Sequence, residues 1–318
     1  MSDWYMANIV LVQSTMTTFL LALSIQLPLR VGVFSFAGVG CYGIGGYAAA
    51  ICMTRLEMPT WPSIAVGTLL AGVAGCLLGL LIQRLNGLYL GMATIAFTLI
   101  IAILAVNGGS LTGGAAGLFG ALGDLTTGSI LAVTLVVVVV FALSETGGLG
   151  RRIDAVREDP ELAAAMGVDV SRYRRMSFLV SGLVGGLSGA LTILLRSSIT
   201  PAEVNFQLVV LALTVIVVGG FRSWAGALIG AVIFVWLPKA LDFVGEWETV
   251  VYGVVVVLAA LYLPGGVLGL ATGLFRRLRS GRRGGAADGE QGAGGPGAGP
   301  GAVTGREFDE LAVPGEGR

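Results

Sequence analysis

The sequence predicts an all-α, polytopic membrane protein, and two observations carry this prediction. Of the 318 residues, 55% are hydrophobic and 12% are charged, with a mean hydropathy of +0.88; about a quarter of the residues in an ordinary soluble domain are charged. The charges also leave nine intervals long enough for a helix, and a charge at the centre of a bilayer is costly while about 20 apolar residues span it. We therefore expect about nine transmembrane or re-entrant helices.

The charge-free intervals predict the helices in chain order. They lie between Asp3 and Arg30, Arg30 and Arg55, Glu57 and Arg84, Arg84 and Asp124, Asp124 and Glu145, Arg175 and Arg196, Glu203 and Arg222, Arg222 and Lys239, and Glu248 and Arg276. The first is expected to be a retained helix rather than a signal peptide, because it lacks a basic start and leads into further spans. The fourth is expected to hold a helix over about 88–106 and a Gly- and Thr-rich loop over 108–128. The eighth has 16 residues, about 24 Å of helix, so a re-entrant half and a full span both remain open for it.

The distribution of Lys and Arg predicts the orientation. If the loop 145–175 is cytoplasmic, that side of the membrane receives 14 Lys and Arg and the opposite side receives 3, without the two arginines of the distal tail. Cytoplasmic loops are the richer in these residues. We therefore expect the N-terminus outside and the C-terminus inside.

The chain is expected to have one membrane domain and a tail. Residues 1–275 form the predicted transmembrane domain, which includes the cytoplasmic loop 145–175. Residues 276–318 begin with five arginines and continue with Gly, Ala and Pro, a composition that does not bury enough apolar surface to offset the entropy of ordering. We expect this tail to be disordered in the cytoplasm.

Composition also removes several functional classes. The chain has no histidine, and no acidic residue lies within a predicted span, so we predict no catalytic residue and no metal site. The single lysine, Lys239, is followed by Ala240, so the chain cannot make a Walker A phosphate loop. Lys and Arg balance Asp and Glu at 19 each, which argues against nucleic-acid binding. The three cysteines, without CxxC spacing, are expected to be small buried hydrophobes.

The cytoplasmic loop has the sequence signals of a short helix over 160–166. Asp159 suits the N-cap, Pro160 the first helical position and Glu161 the first turn, while Gly167 suits the residue that stops the helix. Such a short helix is not stable alone, so it is expected to pack against something. A soluble partner is one explanation. A solvated loop whose arginines only fix the topology is the other.

A further helix is expected after this loop. Ser171 is predicted to cap it, and its first turns would lead Arg172, Arg174 and Arg175 into the membrane interface before a span over 176–195.

The segment 157–167 resembles the EAA loop of ATP-binding-cassette (ABC) importer permeases, in which a Glu precedes a pair of alanines and a glycine. More specifically, it resembles the branched-chain amino acid uptake permeases of the LivM type, which are related to urea and short-amide permeases. The stretches 32–50, 87–90, 110–118 and 219–230 are similar to further family patterns in the same order. The chain departs from the pattern in having Gly38 where relatives usually have a histidine, and in having Leu162 between Glu161 and the alanines.

The resemblance implies an importer subunit that holds no cofactor of its own. In such an importer two ATPase subunits bind ATP and Mg, a second homologous permease completes the pathway, and an extracytoplasmic binding protein delivers the solute. The resemblance assigns the coupling to the ATPases to five residues. Arg157 and Glu161 position the short helix, Ala163 and Ala164 permit close packing, and Gly167 ends the helix.

Solute contacts are predicted from polar and glycine positions in apolar spans. The candidates are Ser35, Gly43, Gly45, Tyr47, Thr94 and Thr98. A hydroxyl in such a span is either a ligand or a backbone-bonded, interhelical contact. The dense glycines of 38–46 indicate a broken or tightly packed segment, and the GxxxG pairs 75/79, 182/186, 185/189 and 226/230 indicate close helix crossings.

Alternatives remain open on sequence alone. An amino acid with an apolar side chain, urea and a short amide are all compatible with a pathway poor in charge. A sodium-coupled secondary transporter is also a polytopic bundle, although it has no reason to keep a coupling helix. The 18 Arg, 1 Lys and 51 Gly favour a multi-pass protein of a bacterial plasma (inner) membrane.

Overall fold

The computed structural model describes residues 2–82, 85, 87–145, 147–221, 223–241, 253–254 and 257, which belong to the first unit of the chain, Met1–Gly273. The α-helices of these residues are α1 Ser2–Arg30, α2 Ala37–Arg55, α3 Thr60–Ile82, α4 Gly87–Asn107, α5 Thr127–Glu145, α6 Gly147–Glu158, α7 Pro160–Ala165, α8 Val170–Arg196, α9 Phe206–Gly219 and α10 Trp224–Leu241. Two short strands, β1 (Leu118–Phe119) and β2 (Ser198–Ile199), pair antiparallel. The part described is thus almost wholly helical, as the sequence predicts.

Within the described residues, seven helices are long and apolar enough to cross a membrane: α1, α2, α3, α4, α5, α8 and α10. Helix α9 is apolar but has 14 residues, about 21 Å. Each of the first eight predicted intervals therefore contains a helix. Of the ninth, between Glu248 and Arg276, the structure describes residues 253–254 and 257 alone, and the predicted tail lies outside the described residues.

Helix α10 contains the eighth charge-free interval, for which the sequence left a re-entrant half and a full span open. It runs antiparallel to α1, because Gln26 donates to the carbonyl of Ser223 at 2.9 Å at one end and Lys239 donates to Asn8 at the other. Between them, Trp236 donates to Thr15 at 3.1 Å. Because Lys239 lies inside the last turn, the helix is longer than the charge-free interval and is one of the potential spans.

One end of the helix bundle collects the arginine-rich connections. Arg30 pairs with Glu145 at 3.0 Å, which joins the ends of α1 and α5. Gln26 also donates to the carbonyl of Phe221 at 3.0 Å, so the turn between α9 and α10 lies at the same end. The sequence assigned these connections to one side of the membrane; which side faces the cytoplasm stays a prediction.

The opposite end carries the loop 108–126 and the segment 197–205. Leu118 pairs with Ile199 in the two-strand ladder. Arg55 donates to the carbonyl of Ser110, and the backbone N–H of Asp124 donates to Thr60 at 3.2 Å. The Gly- and Thr-rich loop is therefore an ordered cover over this end of the bundle.

Helices α2, α3 and α8 form the centre of the bundle and approach one another through glycines. A Cβ added to Gly182 would lie 2.7 Å from the carbonyl oxygen of Ala71 and 3.1 Å from the Cα of Gly75. A Cβ on Gly75 would lie 2.7 Å from the carbonyl oxygen of Phe178. All four predicted GxxxG pairs lie at such crossings, because the other members face Phe178, Ala71, Gly38, Tyr42, Gly220 and Val215.

The sequence predicts either a broken or a tightly packed structure for the glycine-rich segment of α2, and the structure shows the second. It is one continuous helix with most of its residues buried, so the segment is not broken. A Cβ on Gly45 would meet the backbone of Gly186, and one on Gly46 would meet Ile193. The glycines are therefore places where α8 packs directly on the α2 backbone.

Candidate functional site

Helix α6 begins the arginine-rich loop, and sequence analysis did not predict it. Leu149, Ile153 and Val156 recur at helical spacing, and the intervening positions are mostly charged or small. Val156 is fully buried, Ile153 is half-buried and Leu149 is exposed. This amphipathic spacing is a signal from which the helix could have been predicted. Helix α6 lies against the bundle through its apolar face.

Helix α7 is the predicted short helix, and its caps are those expected. The Asp159 carboxylate accepts from the backbone N–H groups of Glu161 and Leu162, both at 3.0 Å, and Pro160 takes the first position. The helix ends at Ala165 with Met166 as its cap residue, one residue earlier than predicted.

The other end of α7 is a Schellman motif centred on Gly167. Its φ of +83° is in the left-handed region that favours glycine. The backbone N–H of Gly167 donates to the carbonyl of Ala164, and that of Val168 to the carbonyl of Ala163, each at 3.0 Å. Both ends of this six-residue helix are thereby satisfied, which compensates for its length.

The two alanines assigned to coupling, Ala163 and Ala164, differ in exposure. Ala163 is 2% exposed and packs in a cluster with Val31, Val33 and Phe178, so its close packing is with this chain's own core. Ala164 is exposed. Leu162 and Met166, which sequence analysis did not assign, are 59% and 77% exposed. Together with Glu161, Ala164 and Ala165 they form a surface that we call the α7 face.

Arg157 joins the α6–α7 unit to the transmembrane helices. Its guanidinium carbon lies 5.0 Å from the ring centroid of Phe221, a cation–π geometry. Its backbone approaches closely at Gly32, where an added Cβ would lie 3.3 Å from the Arg157 Cα. Because Phe221 is the second residue after α9, Arg157 connects α6 to the turn between α9 and α10.

The same turn is held by Glu145 and Gln26. One Glu145 oxygen both pairs with Arg30 and accepts from the backbone N–H of Trp224 at 3.2 Å. Gln26 donates to two carbonyls of the turn. An open cavity of about 730 Å³ lies beside this joint, between α1, α5, α6 and α8. Helix α6 therefore contacts Phe221 through Arg157 on one side and borders this cavity on the other.

The cap of α8 differs from the one expected. Asp169, not Ser171, accepts from the backbone N–H of Arg172 at 3.0 Å. Helix α8 begins at Val170 and continues without interruption to Arg196. Ser171 was a wrong prediction because Ser and Asp are both good caps, and the Schellman turn at Gly167 decides which one is in register.

The predicted pathway hydroxyls serve the backbone. Ser35, Thr94 and Thr98 are fully buried. Thr94 accepts from the backbone N–H of Phe36 at 3.0 Å and donates to Gly91; Ser35 accepts from Ala37, and Thr98 donates to Thr94. Thr94 thus joins the start of α2 to α4, while Ser35 and Thr98 bond within their own segments. Their contact with a solute stays a prediction.

The other predicted pathway residues lie deeper in α2. An added Cβ on Gly43 would lie 2.8 Å from Val204, and Gly45 faces α8. Tyr47 is buried, and its hydroxyl has no hydrogen-bond partner in the described part of the chain. For the two glycines the geometry gives a packing role, and contact of these three residues with a solute stays a prediction.

Comparison with known proteins decides the family. The chain matches the family model described as branched-chain amino acid transport system, permease component, over residues 6–260. The chain belongs to this permease family. The match includes α1 from residue 6 onward and all of α2 to α10, and therefore the whole α6–α7 unit.

Individual relatives agree with the family. The permease is 26% identical to the high-affinity branched-chain amino acid transport system permease protein LivM of Escherichia coli (strain K12), over 87% of this chain and 73% of the relative. It is 28% identical to a probable branched-chain amino acid transport permease protein LivH of Methanocaldococcus jannaschii, over 51% and 54%. It is 27% identical to the ribose import permease protein RbsC of Haemophilus influenzae, over 67% and 72%. No solved structure matches the chain.

Family and structure together define the kind of protein. The permease is a multi-pass protein of the inner membrane, and it is a membrane subunit of an ABC importer. It is a transporter subunit rather than an enzyme. This membership also favours an ABC importer over the sodium-coupled transporter that the sequence left open.

Proposed function

We propose that this permease forms part of the translocation pathway for branched-chain or other hydrophobic amino acids. The names of LivM and LivH support this solute class, and LivM is similar over a larger part of this chain than the ribose permease is. The permease pairs with a second homologous permease. A binding protein delivers the solute at the end of the bundle that carries β1 and β2.

The orientation follows from the same proposal. The end with the α6–α7 unit is cytoplasmic, because most of the Lys and Arg of the described connections lie there. The N-terminus of α1 is then outside. Two ATPase subunits bind ATP and Mg and approach the permease from the cytoplasm, and this chain contributes no phosphate-binding residue.

The α7 face is the observation that carries the proposal. Leu162 and Met166 are large apolar side chains left exposed on a helix whose two ends are closed by caps. Ala163 fixes the opposite face in the permease core. A capped helix of six residues with an apolar exposed face fits a cleft on a protein partner, and Glu161 adds a charge at the edge of this face.

The contact between Arg157 and Phe221 links movement at the α7 face to the transmembrane helices. When the ATPases close on ATP, the α6–α7 unit moves, and Arg157 carries this movement to the turn between α9 and α10. Helices α9 and α10 cross at Gly219 and Gly226, whose added Cβ atoms would meet backbone, so the two helices move together. Alternating access then results from the shift of this hairpin.

The test is co-purification of the ATPase. The tagged permease is solubilised from its native membrane in mild detergent, and an ATPase subunit is identified by mass spectrometry. The variant Leu162→Arg places a charge on the α7 face. Its matched control is Leu111→Arg, because Leu111 is exposed to 62%, close to the 59% of Leu162, but lies at the other end of the bundle. We expect the ATPase with wild type and with the control, and at least tenfold less with Leu162→Arg.

Two outcomes contradict the proposal. Absence of an ATPase from an intact wild-type preparation removes the docking role of the chain. Equal recovery with Leu162→Arg and Leu111→Arg moves the docking surface away from α7.

A further inference from the structure

A cavity of about 280 Å³ lies between α1, α2, α8 and α9. It is at the end of the bundle opposite the α7 face, since its lining includes Arg196 at the end of α8 and Asn205 before α9. Its volume is close to the lower limit of small-molecule sites. The cavity therefore suits a solute of a few heavy atoms.

Two opposite charges line this cavity. Arg196 is in the last turn of α8 and is exposed at the mouth; Glu203 is in the short 3-10 turn Pro201–Glu203 and is half-buried. The two do not form an ion pair, and neither pairs with another charge in the part of the chain that the structure describes. Glu203 accepts a weak hydrogen bond from Thr200 at 3.4 Å. A solute with both a positive and a negative group would satisfy both residues.

The hydroxyl oxygens of Ser188 and Thr192 in the cavity wall favour a solute group that donates hydrogen bonds. Ser188 donates its proton to the carbonyl of Thr17 at 2.8 Å, and Thr192 donates to the carbonyl of Ser188 at 2.8 Å. Because their protons are engaged, the two oxygens offer only lone pairs to the cavity, and that of Thr192 also takes part in a hydrogen bond with Tyr42. An ammonium group has donors and no acceptor, so it complements these oxygens and the Glu203 carboxylate.

The rest of the wall combines three leucines with the polar residues Thr17, Thr18, Tyr42, Asn205 and Gln207. Leu21, Leu208 and Leu211 line the cavity, and they provide a surface for an aliphatic side chain. Urea has no side chain to place there and no charge for Arg196 or Glu203. A sugar would leave the leucines without an apolar partner.

We propose that this cavity is the solute site of the permease and binds a zwitterionic amino acid with an aliphatic side chain. Arg196 binds the carboxylate, Glu203 and the hydroxyl oxygens of α8 bind the ammonium group, and the leucines contact the side chain. The inference rests on the proposed import function and extends it, because it assigns the solute class to residues that the sequence patterns did not identify.

Helix α9 links this site to the ATPase end. It begins beside the cavity, where Asn205 caps Leu208 at 3.0 Å, and it ends next to Phe221, on which Arg157 is stacked. Movement of the α6–α7 unit therefore displaces one wall of the solute cavity. Because α9 is short, the displacement is transmitted over only about 21 Å.

The test uses the complete transporter with its binding protein in proteoliposomes and radiolabelled leucine as the probe. Arg196→Gln and Glu203→Gln remove the two charges. Arg55→Gln and Glu57→Gln are the matched controls, since both residues are at the same end but do not line the cavity. Losing one charged partner of a solute corresponds to about a 10- to 100-fold loss of binding. We expect leucine delivered per ATP hydrolysed to fall at least tenfold in the cavity variants and by less than twofold in the controls.

A second measurement reports on the cavity without turnover. A cysteine at Leu211→Cys is modified with a charged thiosulfonate reagent, with Leu122→Cys as the control outside the cavity. Leucine should slow the modification of the first cysteine only. Leucinamide, without a carboxylate, and 4-methylpentanoate, without an ammonium group, should protect at least tenfold more weakly.

The outcomes separate this inference from the proposed function. If wild type transports leucine but the cavity variants match their controls, or if leucine gives no protection, the site is wrong while the import function stands. If Arg196→Gln or Glu203→Gln abolishes stimulation of the ATPase by the binding protein, the charges form a docking surface and the site is likewise wrong. If wild type neither retains an ATPase nor takes up leucine, the proposed function itself fails.

Discussion

The crossing of α3 and α8 gives a sharp prediction for Gly182→Ala. An added Cβ would lie 2.7 Å from the carbonyl oxygen of Ala71, about 0.7 Å short of the 3.4 Å at which ordinary contact begins. Its next neighbours, at 3.1 and 3.3 Å, are the Cα atoms of Gly75 and Gly72. All three are backbone atoms, so no side chain can turn away, and the helices must separate.

The size of the effect follows from that separation. Each atom–atom contact is worth about 0.1–0.2 kcal/mol, and a gap of about 0.5–1 Å loses a quarter to a half of that energy. A crossing with on the order of 40 atom pairs then loses about 2 kcal/mol of folding free energy. Replacing a helical Gly by Ala returns about 0.5–1 kcal/mol, whatever the site. The matched control Gly128→Ala has this gain without a clash, because nothing lies within 4 Å of its Cβ.

The assay is thermal unfolding of the detergent-solubilised permease at one heating rate. With about 2–4 °C per kcal/mol, we expect Gly182→Ala to unfold about 4–8 °C below Gly128→Ala. Equal unfolding temperatures for the two variants would show that the helices do not approach at Gly182 as described, and would refute the packing argument for the other GxxxG pairs.

Three further predictions concern the cytoplasmic end and the orientation. Gly167→Ala should weaken ATPase retention, because a Cβ at φ +83° costs about 1–2 kcal/mol, while Gly167→Asn, which tolerates this conformation, should retain more ATPase; equal retention would contradict the Schellman cap. Gln26→Leu should lower the unfolding temperature by about 2–8 °C, since two carbonyls of the α9–α10 turn lose their donor at about 1–2 kcal/mol in all; an unchanged temperature would contradict that bond pair. A membrane-impermeant maleimide added to intact cells or spheroplasts should label Leu122→Cys and not Leu162→Cys, and the reverse pattern would invert the proposed orientation.

Features governed by local chemistry could be predicted from the sequence. Helix α4 begins and ends within one residue of the predicted bounds, because charge and glycine mark both of its ends. The caps of α7 were also predicted, since Asp159 and Gly167 act on backbone within a few residues of themselves. Each of the first eight charge-free intervals contains a helix, because bilayer thickness sets the length of a span.

Features governed by packing could not be predicted. The sequence shows Ala163 and Ala164 as an equivalent pair, yet the rotation of α7 on the bundle buries one and exposes the other. Arg157 and Phe221 are 64 positions apart in the chain, and only the fold stacks them. The solute cavity was missed for the same reason: Arg196 and Glu203 bound two different charge-free intervals, so hydropathy assigns both to loops.

The double-mutant cycle at Arg157 and Phe221 tests most directly whether the α6–α7 unit drives the transmembrane helices. Arg157→Gln and Phe221→Leu keep much of each side chain's bulk and remove the cation–π contact, which is worth about 0.5–2 kcal/mol. Leucine delivered per ATP hydrolysed is measured in the complete transporter for wild type, both single variants and the double variant. The account predicts a several-fold loss in each single variant, no further loss in the double variant, and unchanged ATPase retention in all of them. Two results would contradict the account. One is a loss in the double variant equal to the product of the two single losses. The other is a ratio of leucine delivered to ATP hydrolysed that stays at the wild-type value in the single variants.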